Sequence, residues 1–201
     1  MIAILDYKAG NIASVSNALT RLGVEFIVTD DVEQLDAASG IIFPGVGHAY
    51  SAMNALKEKN LDQWLKQTDK QVLGICLGMQ LLFDFSVEGK TNCLGLISGN
   101  LEKFDDKLDK VPHMGWNTIS LDKSTFLTEG LTKDDYFYFV HSYFAPKVSD
   151  TVASCTYAGA EFSAAVSKDN FHGVQFHPEK SGKSGTKILV NFINHIKTLA
   201  V

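Results

Sequence analysis

The first 85 residues alternate short apolar runs with amphipathic segments, and this alternation limits the chain to an α/β fold. Buried strands are predicted at four apolar runs: Ile2–Leu5, Glu25–Val28, Gly40–Phe43 and Val72–Ile75. Helices are predicted between and after them: after Asn11 up to Gly23, from His48 to about Leu65, and over Met79–Phe85. Because the strands are apolar throughout, the pattern predicts a parallel sheet with helices on both faces.

The pattern changes between residues 95 and 166, where short β-rich segments indicate an added antiparallel sheet. These segments are Leu101–Phe104, Asn117–Leu121, Tyr136–Val140, Val152–Tyr157 and Ala164–Ser167. One more strand, Phe171–Phe176, and a last helix, Thr186–Leu199, complete the chain. We therefore predict a single domain over residues 1–201. It combines a mostly parallel central sheet, helices on both faces and a smaller antiparallel sheet.

Charge and cysteine content exclude several classes of protein. The chain has 18 basic and 23 acidic residues, a net charge of −5 and one arginine, Arg21, which argues against a nucleic-acid partner. Three cysteines without C-x-x-C spacing predict neither a zinc site nor a disulfide framework, and we expect no metal or cofactor. Polar residues interrupt the longest uncharged window, Ala37–Leu56, so no membrane span is predicted. With no basic N-terminal region, we expect no signal peptide and a cytoplasmic location.

A candidate nucleophile stands between a predicted strand and a predicted helix, in Gly74-Ile75-Cys76-Leu77-Gly78. This is the G-x-nucleophile-x-G elbow with cysteine in the central position, and its crowded turn requires small residues two places before and after. A helix that starts near Met79 would favour the thiolate of Cys76, and the Leu77 N–H would stabilise an oxyanion. The alternative is that Cys76 is a small buried apolar residue.

The candidate base is His177, which ends an apolar strand and begins His177-Pro178-Glu179. Pro178 favours extended geometry at His177, and residues two apart in an extended segment project to one side. Glu179 would therefore orient one ring nitrogen while the other faces the nucleophile, as in a Cys–His–Glu triad. An ordinary surface pair at a strand end is the alternative. For His48, His172 and His195 we expect surface or packing roles.

The segment Phe43-Pro44-Gly45-Val46-Gly47 lies between a predicted strand and a predicted helix. It matches neither the P-loop nor the full dinucleotide-binding pattern. Two glycines can offer backbone N–H groups to a developing oxyanion, and such a loop can change its peptide orientation. A plain turn is the other interpretation.

Together these segments resemble the class I (triad) glutamine amidotransferases. The elbow with Gln80 and the His177-Pro178-Glu179 motif carry the resemblance to that superfamily. Further segments narrow it to the glutaminase subunits of imidazole glycerol phosphate synthases. They are Pro44–Gly47, Val111–Asn117, Tyr138–Tyr143 and Gly173–Gly182. The similarity runs from the first strand to the last helix.

The resemblance implies a glutaminase that forms a glutamyl thioester on Cys76, with His177 as base and Glu179 as its orienting residue. It implies oxyanion donors in the backbones of Leu77 and of Gly45, Val46 and Gly47. Gln80 would contact glutamine, together with the backbone of His141, Ser142 and Tyr143.

The family binds a (β/α)8-barrel cyclase of the HisF type as a heterodimer, and ammonia passes through the barrel. Met114 and Trp116, which we expect in a loop, would be exposed apolar anchors for that partner. Lys180 would lie at the same rim. The alternative is that Met114 and Trp116 pack in the core.

Three rival functions remain at this point. One is a sister amidotransferase for anthranilate or pyridoxal phosphate synthesis, and another is a different cysteine-elbow hydrolase. The third is a non-catalytic regulatory subunit, against which the presence of Cys76, Gln80, His177 and Glu179 argues. Because 201 residues leave no room for a second catalytic domain, we expect a separate acceptor subunit for the ammonia.

Overall fold

The computed structural model describes residues 1–8 and 10–199. Strands β1 to β14 in that part of the chain are, in order, Ile2–Leu5, Phe26–Thr29, Gly40–Gly45, Val72–Cys76, Phe85–Ser86, Thr91–Asn92, Asn100–Lys103, His113–Thr118, Ser120–Leu121, Tyr136–His141, Tyr143–Phe144, Thr151–Tyr157, Ala160–Lys168 and Phe171–Val174. Helices α1 to α6 are Ile12–Arg21, Val32–Ala37, Ala49–Glu58, Leu61–Gln67, Leu77–Gln80 and Gly182–Leu199.

The main sheet has the strand order β2-β1-β3-β4-β14-β13-β12-β9. From β2 to β14 every neighbouring pair is parallel, and from β14 to β9 every pair is antiparallel. Beside it lie an antiparallel pair, β8 with β10, and a small mixed sheet of β11, β7, β5 and β6. The predicted fold class is confirmed. Several antiparallel segments nevertheless extend the main sheet, whereas we expected all of them in a separate one.

Alternating side chains of the parallel strands pack against helices on both faces of the main sheet. Ile2 and Ile4 of β1 face the apolar stripes of α1 and α6, which include Leu19 and Phe192. The intervening Ala3 and Leu5 face α2, α3 and α4. The carboxyl ends of these strands therefore form an edge between two helical layers, where sites of open α/β sheets lie.

The predicted helix from His48 to Leu65 is two helices, α3 and α4. Asn60 between them has φ +57°, a left-handed conformation that asparagine tolerates, so the helical path ends there. The helix α2 was not predicted. Strand β2 was predicted as buried, but it lies at the edge of the sheet and exposes Val28.

The helix predicted over Met79–Phe85 is the four-residue α5, Leu77–Gln80. It stops because the carbonyls of residues 81–83 accept hydrogen bonds from the backbone N–H groups of residues 94–97, so they cannot continue a helical ladder. The segment Val111–Asn117, expected as a loop, contributes most of β8, because its backbone pairs along its length with β10. The single domain predicted over residues 1–201 stays a prediction. It includes residues 9, 200 and 201, which lie outside the described part of the chain.

Candidate active site

Cys76 occupies a strained turn at the junction of β4 and α5. Its backbone has φ +54° and ψ −110°, outside the regions that non-glycine residues favour. A Cβ on Gly78 would lie 1.9 Å from the Phe43 carbonyl oxygen, and one on Gly74 would lie 2.7 Å from the Met79 nitrogen. Both glycines are therefore required by contact distance, and the turn has the geometry of a nucleophile elbow.

His177 is held between Glu179 and Cys76. Its Nδ1 lies 2.8 Å from Oε1 of Glu179, and both side chains are buried. Because a carboxylate only accepts, Nδ1 carries a proton, and the buried Nε2, which has no hydrogen-bond partner among the described residues, is left for the Cys76 thiol. Glu179 lies in the 3-10 turn Pro178–Lys180, so a tight turn makes this contact, where we expected an extended segment.

The backbone around His177 is tied to the neighbouring strand β10. His177 N–H donates to the Tyr138 carbonyl at 2.9 Å. Ser181 Oγ donates to the His177 carbonyl at 2.6 Å and accepts from Tyr138 N–H at 2.9 Å. These bonds restrict the imidazole to one position relative to the elbow.

Electrostatics around His177 favour its charged form. Burial lowers the pKa of its imidazole, but hydrogen bonds and charge from Cys76 and Glu179 outweigh burial and raise that pKa to about 10. The arrangement therefore favours the imidazolium form of His177 beside Glu179 and the Cys76 sulfur.

The Pro44–Gly47 segment packs directly on the elbow. Gly45 pairs with Cys76 in the register of β3 and β4, and a Cβ on Gly45 would lie 2.6 Å from the Gly78 nitrogen. Gly47 has φ +99°, which favours glycine. Val46 is partly exposed at the mouth of the site. The loop and Leu77, the first residue of α5, therefore both lie beside Cys76.

Sequence reasoning missed Tyr7, which holds the Pro44–Gly47 segment in place through a buried hydrogen bond. Its hydroxyl is fully buried and donates to the Pro44 carbonyl at 2.8 Å. Burial, with a smaller contribution from the charge of Cys76, raises the pKa of the Tyr7 phenol far above its usual range, so the hydroxyl keeps its proton. Its position two residues after the apolar strand β1, at the carboxyl end of the sheet, was the available signal.

A cavity of about 370 Å³ opens beside Cys76. It is lined by Val46, Gly47, Cys76, Leu77, Gln80, Glu88, Pro112, Val140, His141, Ser142, Tyr143, His177 and Lys180. This set contains every residue that the sequence assigned to the nucleophile, base, oxyanion or substrate contacts, except Gly45 and the orienting residue Glu179. Gly45 pairs with Cys76, and Glu179 binds His177. Glu88 was missed. Its carboxylate lines the cavity while Oε2 accepts from the Ala49 N–H at 2.7 Å.

The substrate-contact candidates meet at the carbonyl of Tyr143. Gln80 Nε2 donates to this oxygen at 2.8 Å, and His141 Nδ1 donates to it at 2.9 Å. Since His141 uses Nδ1 as a donor, its Nε2 accepts from His113 Nδ1 at 3.2 Å. Burial lowers the pKa of His141 to about 3 and that of His113 to about 4, so both rings are neutral.

The predicted partner residues share one exposed face. Met114 is 61% exposed and Trp116 is 57% exposed on β8, which excludes the core alternative. The Trp116 ring meets that of Tyr138 at a centroid distance of 6.0 Å, and Lys180 Nζ lies 6.0 Å from the same Tyr138 ring. Because Lys180 also lines the cavity, this face adjoins the mouth of the site.

The remaining histidines and cysteines have structural contacts. His48 caps α3 by accepting from Tyr50 N–H, and His195 stacks on Phe126. His172 is buried, with Nδ1 2.8 Å from Ser167 Oγ and Nε2 2.9 Å from Gln71 Oε1. Burial raises the pKa of Cys93 and of Cys155 to about 12, so both stay protonated.

Two kinds of feature are absent from residues 1–8 and 10–199. No group of three or more His, Cys, Asp or Glu side chains there is arranged to hold a metal ion. In that same part of the chain, no helix has the length and apolar character needed to cross a membrane.

Comparison with known proteins gives one consistent family. The family model for class I glutamine amidotransferases matches residues 3–196. Imidazole glycerol phosphate synthase subunit HisH of Bacteroides fragilis is 52% identical over 194 residues, covering 96% of this chain and 98% of that protein. The HisH subunit of Bacteroides thetaiotaomicron is 49% identical over 195 residues, with the same coverage. A crystal structure of a glutamine amidotransferase has TM-score 0.75 at 17% identity and 98% coverage of each chain, so it shows the same fold.

Proposed function

This chain belongs to the class I glutamine amidotransferases, and on that premise we propose that it is the glutaminase subunit of an imidazole glycerol phosphate synthase, acting in histidine biosynthesis. The observation that supports this chemistry is that Cys76 and His177 line one cavity and that Glu179 binds His177 from behind it. Relatives about half identical over nearly the whole chain favour this assignment over the sister amidotransferases.

In the proposed reaction, the Cys76 thiolate attacks the carboxamide carbon of glutamine and forms a tetrahedral intermediate. His177, as the imidazolium, transfers its Nε2 proton to the leaving nitrogen, so the C–N bond breaks and ammonia departs. A glutamyl thioester remains on Cys76. Neutral His177 then takes a proton from water, which attacks the thioester carbonyl. Glutamate is released and the ion pair is restored.

The oxyanion of both tetrahedral intermediates is assigned to backbone N–H groups of Leu77 and of the Gly45–Gly47 loop. Such donors need to be preorganised, since they act only as negative charge develops. Contact of the loop with the elbow glycine Gly78, and of Tyr7 with the Pro44 carbonyl, supports this role.

Glutamine recognition is assigned to the side chain of Gln80 and the backbone of His141, Ser142 and Tyr143. Glutamine also carries an ammonium and a carboxylate. Glu88 and Lys180 both line the cavity: acidic Glu88 is assigned to the ammonium, and basic Lys180, near the rim, is assigned to the carboxylate.

The acceptor of ammonia is proposed to be a HisF-type (β/α)8-barrel cyclase that forms a heterodimer with this chain. The exposed side chains of Met114 and Trp116, beside Lys180 and the cavity mouth, support docking at this face. Ammonia would then leave the site directly into the partner. Three free cysteines support a cytoplasmic location.

The test is glutamate release by the purified chain, alone and with a HisF-type cyclase and its ligand. We expect low release alone and a large increase in the complex, with none from Cys76→Ala. A glutamine-analogue electrophile should label Cys76, which peptide mass spectrometry locates. Equal, high release with and without the cyclase would contradict the partner assignment, and labelling only at Cys93 or Cys155 would contradict the nucleophile.

A further inference from the structure

Gln175 touches the sulfur of Cys76, although neither the motifs nor the cavity lining assign it a role. It follows β14 directly and is 0% exposed. Its side-chain amide nitrogen lies 3.7 Å from Cys76 Sγ, within the range of a hydrogen bond to sulfur. Gln175 and His177 both lie in the short segment between β14 and the turn Pro178–Lys180, which brings both side chains to Cys76.

The orientation of the Gln175 amide follows from its neighbours. The Tyr143 carbonyl can only accept, so the Gln80 atom 2.8 Å from it is Nε2, a donor. The same Gln80 nitrogen lies 2.9 Å from Oε1 of Gln175 and donates its second N–H to that oxygen. With Oε1 engaged in this way, the group of Gln175 that faces the sulfur is the NH₂ donor.

We propose that Gln175 donates a hydrogen bond to the Cys76 thiolate and is a further catalytic residue of this site. An N–H donor stabilises the charged sulfur more than the neutral thiol, which is itself a weak acceptor. His177 then acts as the proton donor to the leaving group, while Gln175 donates to the sulfur from 3.7 Å. Gln80 links the two halves of the site, since it orients Gln175 and borders the substrate cavity.

Other groups around Cys76 do not replace this donor. The titratable side chains that act on Cys76 from neighbouring elements are His177, after β14, and Tyr7, after β1. Tyr7 directs its hydroxyl to the Pro44 carbonyl. The Val140 carbonyl, 4.0 Å from Sγ, can accept from a thiol but cannot donate to a thiolate. Gln175 is therefore the neutral donor at the sulfur within this set.

The test measures the Cys76 thiolate directly, as absorbance at 240 nm and as the rate of alkylation by iodoacetamide from pH 4 to 9, in the full chain. Gln175→Met keeps the length of the side chain and removes the donor. Gln175→Asn keeps the amide but withdraws it by one methylene, and it carries the test if the first variant does not fold. We expect alkylation at the acidic end of the profile to slow by about tenfold in both, with the profile moved to higher pH.

Gln71→Met is the matched control, because Gln71 contacts His172 at the opposite end of β4 and should leave the profile unchanged. Cys76→Ala gives the background from Cys93 and Cys155. A wild-type profile in both Gln175 variants would overturn the inference, even if their turnover falls, since a structural role alone does not move the thiolate titration. The inference rests on the proposed function only for the role of Cys76 as nucleophile. Alkylation needs neither glutamine nor a partner, so its failure is distinguishable from failure of the glutaminase assignment.

Discussion

The Nδ1 atom of His177 lies 2.8 Å from Oε1 of Glu179, two residues further along the chain, and both side chains are buried. This contact sets the tautomer of the imidazole and leaves Nε2 for the Cys76 sulfur. A neutral isostere at Glu179 changes the charge of the site without changing its shape.

Glu179→Gln should therefore lower the pKa of His177 and weaken glutamine hydrolysis. We expect turnover to fall by about a hundredfold to ten-thousandfold, the range typical of general acid–base help. Steady-state glutamate release by the complex measures it. Glu161→Gln, at an exposed partner of Lys147, is the control and should retain wild-type turnover. Wild-type turnover in Glu179→Gln would exclude the orienting role.

Removing the Cys76 thiolate should lower the pKa of His177 from its value of about 10, because the imidazolium loses a neighbouring negative charge. Titration of the histidine ring protons by NMR in Cys76→Ala tests this direction. The raised pKa of His177 also makes the stability of the fold depend on pH. Since the pKa of His177 is raised on folding, its contribution is present below about pH 6.5 and is lost as the pH rises through about 10. An unchanged titration midpoint would mean that the two groups do not form an ion pair.

Tyr7→Phe should loosen the oxyanion loop, because the Pro44 carbonyl loses its buried donor. We expect a stability loss of about 1–2 kcal/mol and a fall in turnover of about tenfold to a hundredfold through misplaced N–H groups. Thermal unfolding and glutamate release measure the two effects. The exposed Tyr50, on α3, supplies the control variant Tyr50→Phe. A variant with the stability loss but normal turnover would restrict Tyr7 to a structural role.

His113→Phe should flatten the dependence of stability on acid pH. The pKa of His113 is lowered to about 4 by burial, so between about pH 4 and 6.5 the unfolded chain binds a proton that the folded chain does not. Stability of the wild type therefore falls as the pH drops through this range. Phenylalanine keeps the stacking on Phe139 and Tyr157 and removes that proton. Urea unfolding at several pH values compares the slopes, and equal slopes would contradict a neutral buried His113.

Trp116→Ala should weaken binding of the HisF-type cyclase by at least about tenfold, because an exposed tryptophan at an interface is a typical hot spot. Isothermal titration calorimetry measures the dissociation constant. Leu121→Ala removes another exposed apolar side chain from the far edge of the main sheet and should bind normally. Unchanged affinity in Trp116→Ala would move the partner surface elsewhere.

Much of the fold and the candidate triad could be predicted because the signals are local. The alternation of apolar runs and helical stripes over the first 85 residues is enough to predict a parallel sheet with two helical layers. The small residues around Cys76 and the tripeptide His177-Pro178-Glu179 carry their constraints within a few positions of the chain. Gly74 and Gly78 were predicted as small for the reason the contact distances show.

Element ends were less predictable, because tertiary hydrogen bonds decide them. Helix α5 stops after Gln80 since the segment 94–97 takes the carbonyls that a longer helix would use. Strand β8 forms because β10 supplies its backbone partners, which no periodicity around Pro112 and Gly115 indicates.

By itself, the sequence determined the fold class, the elbow and the motif that pairs a base with its carboxylate, because short-range sterics and periodicity encode each of them. Only the tertiary structure decided which distant groups complete the site. Gln175 reaches Cys76 across 99 positions, Gln80 reaches Tyr143 across 63, and Tyr7 reaches Pro44 across 37. Such contacts depend on which strand ends the sheet brings together, and these residues become neighbours only once the chain has folded.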